Sequence, residues 1–563
     1  MLRLVPPLTL LLFLGPIAAG LAGTWLPALG YLPVLGMDLA PLDPWRMLLA
    51  APGLETALAL TLTSGLLSAV ISYLLAVGLC AAFHDRAWFA RLRLMLAPLL
   101  AVPHAALAIG FAFLIAPSGW IARILSPWLT GWDRPPALAT VADPHALSLT
   151  AALVLKETPF LLLMILAALN QVPADRLMAV SRSLGYGPAV GWLKAVLPLV
   201  QKQIRLPLYA VLAYALSNVD MAIVLAPGTP PPLAVQLLRW FNDPDLAMRF
   251  PAAAGAVLLC LVVALAIGLT RGAEALAGWL GRRWIAGGGR GASSAAGTGI
   301  RWATGLGGGL ALCLSVLALI GLGLWSLAGR WRYPDALPQS LTLSTWMRQG
   351  EALSLPFWTT LWAGLTATLI ALALVLACLE HEQRRGRALS QRGLWLLYLP
   401  LLVPQVGFLF GVQVLLVVAR LDGSAVALVW SHLLFVLPYV YLALADPYRA
   451  LDPRYDRTAR CLGAGAARVF WRVKLPVLLR PILIAAAIGF AVSVSQYLPT
   501  LFAGAGRYTT LTTEAVSLSA GADRRVVAVF AFAQGALPFL GFALALLLPA
   551  WLYRNRAGLR GRA

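Results

Sequence analysis

The chain has 563 residues, of which 60% are hydrophobic and 12% charged, whereas a soluble globule of this size carries about a quarter charged residues. It reads as an integral membrane protein. Its net charge of +21 does not mark a nucleic-acid binder, because the basic residues lie in short loops between apolar runs rather than on one solvated face with aromatics among them.

In chain order, Arg3 precedes an apolar run at 5–29 that is interrupted by Pro6, Pro7 and Pro16. A cleaved signal peptide is one reading, and an uncleaved first span fits better because matching spans follow it. A bilayer core needs roughly twenty apolar residues per helix, and that ruler gives twelve candidates. They fall at 7–26, 55–82, 94–116, 146–169, 203–226 and 250–270, then at 304–328, 357–379, 394–418, 425–445, 478–500 and 527–552. Most of the 43 Lys and Arg residues fall on one side of this arrangement, which predicts cytoplasmic N- and C-termini.

The fourth span contains Lys156 and Glu157, and ionisable residues at that depth are costly and face protein or a watery path. Bracing against another helix and contact with a solute both stay open for this pair. The fifth span carries Ser217, Asn218 and Asp220. Between spans six and seven, RRWIAGGGRGASSAAGTGIR at 282–301 reads as a flexible cytoplasmic linker. It divides the chain into a first six-helix half at 1–281 and a second at 302–563.

The halves repeat in sequence. A shift of 278 residues places Arg182 on Arg460, Leu184 on Leu462, Gly185 on Gly463, and Leu197-Pro198 on Leu475-Pro476. The same shift carries Ser217 onto Ser495 and Gly228 onto Gly506, whereas Pro103 and Gly110 match Pro404 and Gly411 at a shift of 301. About 23 extra residues therefore sit in the first half, in the outside loop that follows the third span. Ser495 and Gln496 thus take the place of Ser217 and Asn218 near the outer end of an equivalent helix, as a central path requires, although small polar groups also join helices. Asp220 has Leu498 as its counterpart, and as a lone buried carboxylate it favours a cation or a proton.

The repeated cytoplasmic segments lie at 170–202 and 446–480. Asp452-Pro453 has the chemistry of a helix N-cap followed by proline, and Gly463 can take the left-handed conformation that ends a helix. Each copy then reads as a helix, a sharp turn and a second short amphipathic piece. An interfacial helix on anionic lipid is one reading. Two copies at fixed spacing suggest instead a pair of knobs for a partner with two equivalent grooves.

The pattern resembles the EAA loop of ABC importer permeases, which has the form Glu-Ala-Ala, three residues, Gly, nine residues, Ile, one residue, Leu-Pro. Here the copies read AVSRSLG followed by AVLP, and RTARCLG followed by VKLP. Gly185, Gly463, Leu197-Pro198 and Leu475-Pro476 match, while Ala179 and Arg457 stand for the Glu, and Ala195 and Val473 for the Ile. The twelve-span fused form is similar to permeases of the iron(III), thiamine and Ynj-type importers.

The resemblance implies an all-α type I permease of two parallel six-helix repeats in the bacterial inner membrane. It also implies ATPase-coupling surfaces at Arg182, Ser183, Leu184, Gly185, Leu197, Pro198, Arg460, Cys461, Leu462, Gly463, Leu475 and Pro476. Two copies of a cytoplasmic ABC ATPase, which hold the ATP and Mg, and a periplasmic solute-binding protein would be its partners.

Neither GxxxxGK[ST], HExxH nor GxSxG occurs, and Cys80, Cys260, Cys313, Cys378 and Cys461 are scattered without metal-ligand spacing. No catalytic or metal site is expected in this chain, and no cofactor. The rival reading is an ion-coupled secondary transporter in which Glu157 or Asp220 carries a proton, since such carriers also have twelve spans in two halves.

Overall fold

The computed structural model describes residues 2–32, 36–86, 88–89, 99–289, 295–386 and 390–554. Among them the fold is α-helical except for a two-residue hairpin, Tyr31–Leu32 with Met37–Asp38, and one isolated bridge between Ala328 and Leu341. The first half contains α1 (Val5–Ala28), α2 (Leu54–Phe83), α3 (His104–Ile115), α4 (Leu147–Leu169), α5 (Ala174–Ser183), α6 (Leu197–Ser217), α7 (Asp220–Leu225), α8 (Leu233–Phe241) and α9 (Arg249–Ala286). The second half contains α10 (Ala295–Leu327), α11 (Ser344–Arg385), α12 (Gln391–Leu402), α13 (Val406–Val418), α14 (Ala425–Arg449), α15 (Pro453–Cys461), α16 (Leu479–Val494), α17 (Leu498–Gly504), α18 (Leu511–Ser519) and α19 (Arg524–Leu552).

Nine described helices are long and apolar enough to cross a membrane, and two bent pairs raise the number to eleven. The expected fifth span at 203–226 is the departure. It consists of α6 and α7, which part at an extended Asn218. Its opening turns also hold Gln201, Lys202, Gln203 and Arg205, so no continuous apolar stretch forms. The expected linker at 282–301 also contracts. Residues 282–286 continue α9 and 295–301 open α10, while 290–294 and the C-terminal tail from 555 lie outside the described residues, as does 94–98 of the third expected span.

The 278-residue shift holds for local structure. It carries α8 onto α18 and α7 onto the first six residues of α17. An interhelical hydrogen bond repeats as well. The Leu233 N–H donates to Thr61 Oγ1 at 2.8 Å, and the Leu511 N–H donates to Thr360 Oγ1 at 2.9 Å.

The first helix of each half packs across on the other half. Helix α1 lies against α13, and α10 lies against α3. Glycine makes both crossings close: a Cβ on Gly411 would overlap the Gly20 carbonyl, and one on Gly110 would stand 2.6 Å from the Ala318 carbonyl oxygen. Small residues at such crossings let backbones approach where lipid supplies no hydrophobic drive between helices. The Gly411 N–H also donates to Thr24 Oγ1 at 3.0 Å.

Candidate functional site

Both repeated segments close and turn alike as far as Leu-Pro, after which the second bends by 75° near Leu478 and the first runs on as α6. Helix α5 ends at Gly185 (φ +82°) and α15 at Gly463 (φ +79°). In the first, the Gly185 N–H bonds to Arg182 O and the Tyr186 N–H to Ser181 O; in the second, Gly463 bonds to Arg460 O and Ala464 to Ala459 O. This pair of bonds is the Schellman closure, which needs a left-handed residue at the glycine. The Asp452 carboxylate caps α15 by accepting from the Arg454 N–H at 2.8 Å, whereas Pro173 begins α5 without a side-chain cap.

Beyond Gly187 and Gly465 a short helix leads into a π turn, Trp192–Val196 in one copy and Phe470–Lys474 in the other. Each ends where Leu-Pro begins, with the Leu197 N–H bonded to Trp192 O and the Leu475 N–H to Phe470 O. Pro198 and Pro476 have no N–H to continue the ordinary ladder, and their rings crowd the preceding turn, which a widened turn relieves.

Arg182, Ser183, Leu184, Gly185, Arg460, Cys461, Leu462 and Gly463 are all exposed, and Leu462 is 82% exposed. Leu197, Leu475 and Pro476 are half-buried and Pro198 exposed at the entrances of the following helices. They position the segments and do not belong to the protruding tips.

The two copies are anchored differently. In the first, Lys194 Nζ donates to Trp284 O at 3.0 Å and Gly289 O at 2.8 Å, and sits 4.5 Å from the Trp284 ring centroid. A cation thus closes the carbonyl end of α9. In the second, Lys474 Nζ lies 2.7 Å from Glu380 Oε2 and 2.8 Å from Gln383 Oε1, both near the end of α11. The Tyr448 hydroxyl and Arg384 Nε also donate to Glu380. Asp456 on α15 joins this network, 3.9 Å from Lys474 Nζ and 2.8 Å from Arg460 Nε.

Both ends of the described chain lie on this face. The Tyr553 hydroxyl donates to Pro476 O at 2.9 Å, and Thr9 near the start of α1 meets Cys378 near the end of α11.

Midway through the bundle, four helices break at symmetric places. Breaks fall at Val102-Pro103 and Asn218 in the first half, and at 403–405 and 495–497 in the second. Helices α12 and α13 meet at 91°. A residue before proline disfavours the helical region, so Pro103 and Pro404 account for one break in each half.

Lys156 and Glu157 divide there. Lys156 Nζ donates to Leu100 O at 3.1 Å and also to Val102 O, the carbonyls that the Pro103 break frees. Glu157 Oε1 lies 3.8 Å from His104 Nε2, and the His104 ring packs on Tyr214, with centroids 4.6 Å apart.

Asp220 is not a lone carboxylate. It accepts from the Tyr214 hydroxyl at 3.2 Å and from Asn218 Nδ2 at 3.0 Å, while Asn218 Oδ1 accepts the Ala222 N–H and so caps α7. Lys156, Glu157, Asn218 and Asp220 therefore share one neighbourhood with His104 and Tyr214.

Ser217, Ser495 and Gln496 bond back to carbonyls of their own helices, at Ala213, Ala491 and Val492. Their polarity goes to backbone satisfaction beside the breaks. The repeat offset revealed neither His104 nor Tyr214; the one cue was the position of His104 directly after the repeated Pro103.

At the opposite face, Asp143 caps α4. Burial pushes its carboxyl upward, but the Ser148 and Leu147 N–H groups and the Ser148 hydroxyl outweigh that and hold it below the ordinary carboxylate value. The extra first-half loop packs there too. Arg123 lies over the rings of Trp325, Trp331 and Tyr333, and donates to Arg332 O at 2.7 Å.

Comparison with known proteins gives this arrangement its context. Residues 369–555 match the family described as binding-protein-dependent transport system inner membrane component. The inner membrane ABC transporter permease protein YnjC of Escherichia coli K12 is 34% identical over 543 residues, covering 94% of this chain and 96% of that protein. The molybdenum transport system permease protein ModB of Mycobacterium bovis is 31% identical over 152 residues, 25% of this chain and 57% of its own length. A probable ABC transporter permease, y4fN of Sinorhizobium fredii, is 27% identical over 173 residues, 29% of this chain and 30% of that protein.

These relationships do not favour an ion-coupled carrier: the chain belongs to the inner-membrane permeases of binding-protein-dependent ABC transporters.

Proposed function

We propose that this permease imports a small solute that a periplasmic binding protein delivers, and that two copies of a cytoplasmic ABC ATPase drive it with ATP and Mg. The observation that carries the reading is the pair of segments at 170–202 and 446–480, whose exposed tips are alike in helix closure and glycine conformation and are followed by the same π turn. A lipid-facing helix needs an apolar face and no fixed tip. Two matching tips suit two equivalent grooves. In this reading their face is cytoplasmic, both termini lie on that side, and the halves 1–281 and 302–563 are joined across 282–301.

ATP binding draws the two tips together and, through α6 and α16, shifts the broken helices at mid-depth. Access then alternates between the membrane sides. The solute passes the neighbourhood of Glu157, Asn218 and Asp220, and Lys156 braces the Pro103 break beside it.

Cys461 tests the docking directly, because it is exposed in the last turn of α15. In membranes that hold the co-expressed ATPase, its alkylation by a maleimide is expected to slow strongly relative to the permease alone. Equal rates would remove α15 from the interface.

A further inference from the structure

Glu157 is a carboxylate at membrane depth that the fold leaves without a donor. It lies near the middle of α4 and is 5% exposed. No described residue donates a hydrogen bond to it. His104 Nε2, at 3.8 Å, stands beyond hydrogen-bond reach. Lys156, next to it in the chain, spends its ammonium on the Leu100 and Val102 carbonyls. Asp220 is a useful contrast, since Tyr214 and Asn218 satisfy it. Its only charged neighbour in sequence, Lys156, acts on it through space, and its oxygens are not among the sealed, unbonded polar atoms of the described residues, so a transported group can reach the carboxylate and pair with it.

The surroundings suit one kind of group. Tyr214 on α6 and Tyr439 on α14 lie within electrostatic range of Glu157, and Tyr497 lies within range of Asp220. The neighbourhood thus draws on both halves. His104, Tyr214, Tyr439 and Tyr497 keep accessible surface although they sit on inner elements, as groups lining an internal chamber do. Two carboxyl groups, Glu157 and Asp220, act on one ammonium, Lys156, whose own hydrogen bonds go to backbone carbonyls. Tyrosine and histidine rings present π faces that attract cations.

We propose that Glu157 and the tyrosines around it form a mid-membrane binding site for an organic monocation, with the charged group against Glu157 and the body on the rings. This rests on the reading of the helix breaks as the translocation path. An oxyanion would meet two carboxyl groups and an ammonium already bonded to backbone carbonyls.

The test uses the full-length chain in lipid nanodiscs with choline and benzylammonium as monocations and molybdate as the oxyanion. Dicyclohexylcarbodiimide, which attacks carboxyl groups in apolar surroundings, is expected to modify Glu157, as located by peptide mass spectrometry. A saturating monocation slows the reaction about tenfold, and molybdate does not. The Glu157→Gln variant loses choline binding in equilibrium dialysis, while Ser217→Ala keeps it. No adduct at Glu157, protection by molybdate alone, or protection by neither probe would overturn the proposal. Co-purification of an ATPase with the Glu157→Gln chain is scored separately. Its absence from the unmodified chain as well would strike the transporter reading and not this site.

Discussion

Lys474 Nζ sits 2.7 Å from Glu380 Oε2, with both side chains at least 96% buried. This contact joins the π turn of the second repeated segment to α11. Tyr448 brings in the end of α14, and Asp456 brings in α15. Removing one member of a buried pair leaves the other charge uncompensated, which costs about 3–5 kcal/mol. Lys474→Met and Glu380→Gln are each expected to lower the melting temperature in detergent and to reduce ATP-driven uptake. The Lys474→Met/Glu380→Met double variant should recover part of the stability but not the uptake, because α15 then has no fixed tie to α11.

Gly185 and Gly463 sit at φ values that other L-residues reach only with strain, of about 1–2 kcal/mol. Space is not the constraint at Gly463, since a Cβ there would meet nothing within 4 Å. Gly463→Val should therefore misdirect the exposed tip and weaken ATPase binding in pull-down, whereas Gly463→Asn should retain most of it, because Asn tolerates the left-handed region.

The crossing of α1 over α13 depends on the absence of side chains. Gly411→Val forces a Cβ and two methyls into the Gly20 backbone. Overpacking of this kind costs about 1–3 kcal/mol or more, and here it acts between the halves. The expected result is a lower melting temperature and proteolytic cleavage between the halves, against an intact band for the unsubstituted chain at low protease.

For Lys156 the geometry favours bracing over solute contact. Lys156→Met leaves two buried carbonyls short of a donor, at about 1–3 kcal/mol each. It should reduce stability while the folded fraction keeps its KM for uptake within about twofold. A large rise in KM at unchanged stability would restore Lys156 to the path.

Asp143 gives a pH dependence. Its folded carboxyl is held below the ordinary value, so its contribution is full above the unfolded carboxylate range of about 3.9 and fades as pH falls through the lower folded value. Asp143→Ala should reduce stability at neutral pH by about 1 kcal/mol and flatten its decline in acid, as followed by thermal unfolding against pH.

Much of this was legible in the residues. The 278-residue offset located both repeated segments, and Gly185 and Gly463 announced their closures. Proline landmarks at 103 and 404 marked the breaks but read as parts of continuous spans, because apolar composition does not record a bend. The fifth span was overdrawn for the same reason, with Asn218 hidden among apolar neighbours. The bonds of Ser217, Ser495 and Gln496 to their own helices were not legible, since a sequence does not show whether a hydroxyl or amide turns back. The anchors Lys194 and Lys474 stayed hidden because they occupy different positions in the two copies and find partners 90 or more residues away.

The central claim is that two like surfaces on one chain receive two motor subunits. Native mass spectrometry of the permease, purified from membranes that co-express an ABC ATPase, measures this directly. The account predicts a complex of one permease with two ATPase copies, reduced to fewer copies by Gly463→Val. A complex with a single ATPase, or a permease that never carries one, would contradict it.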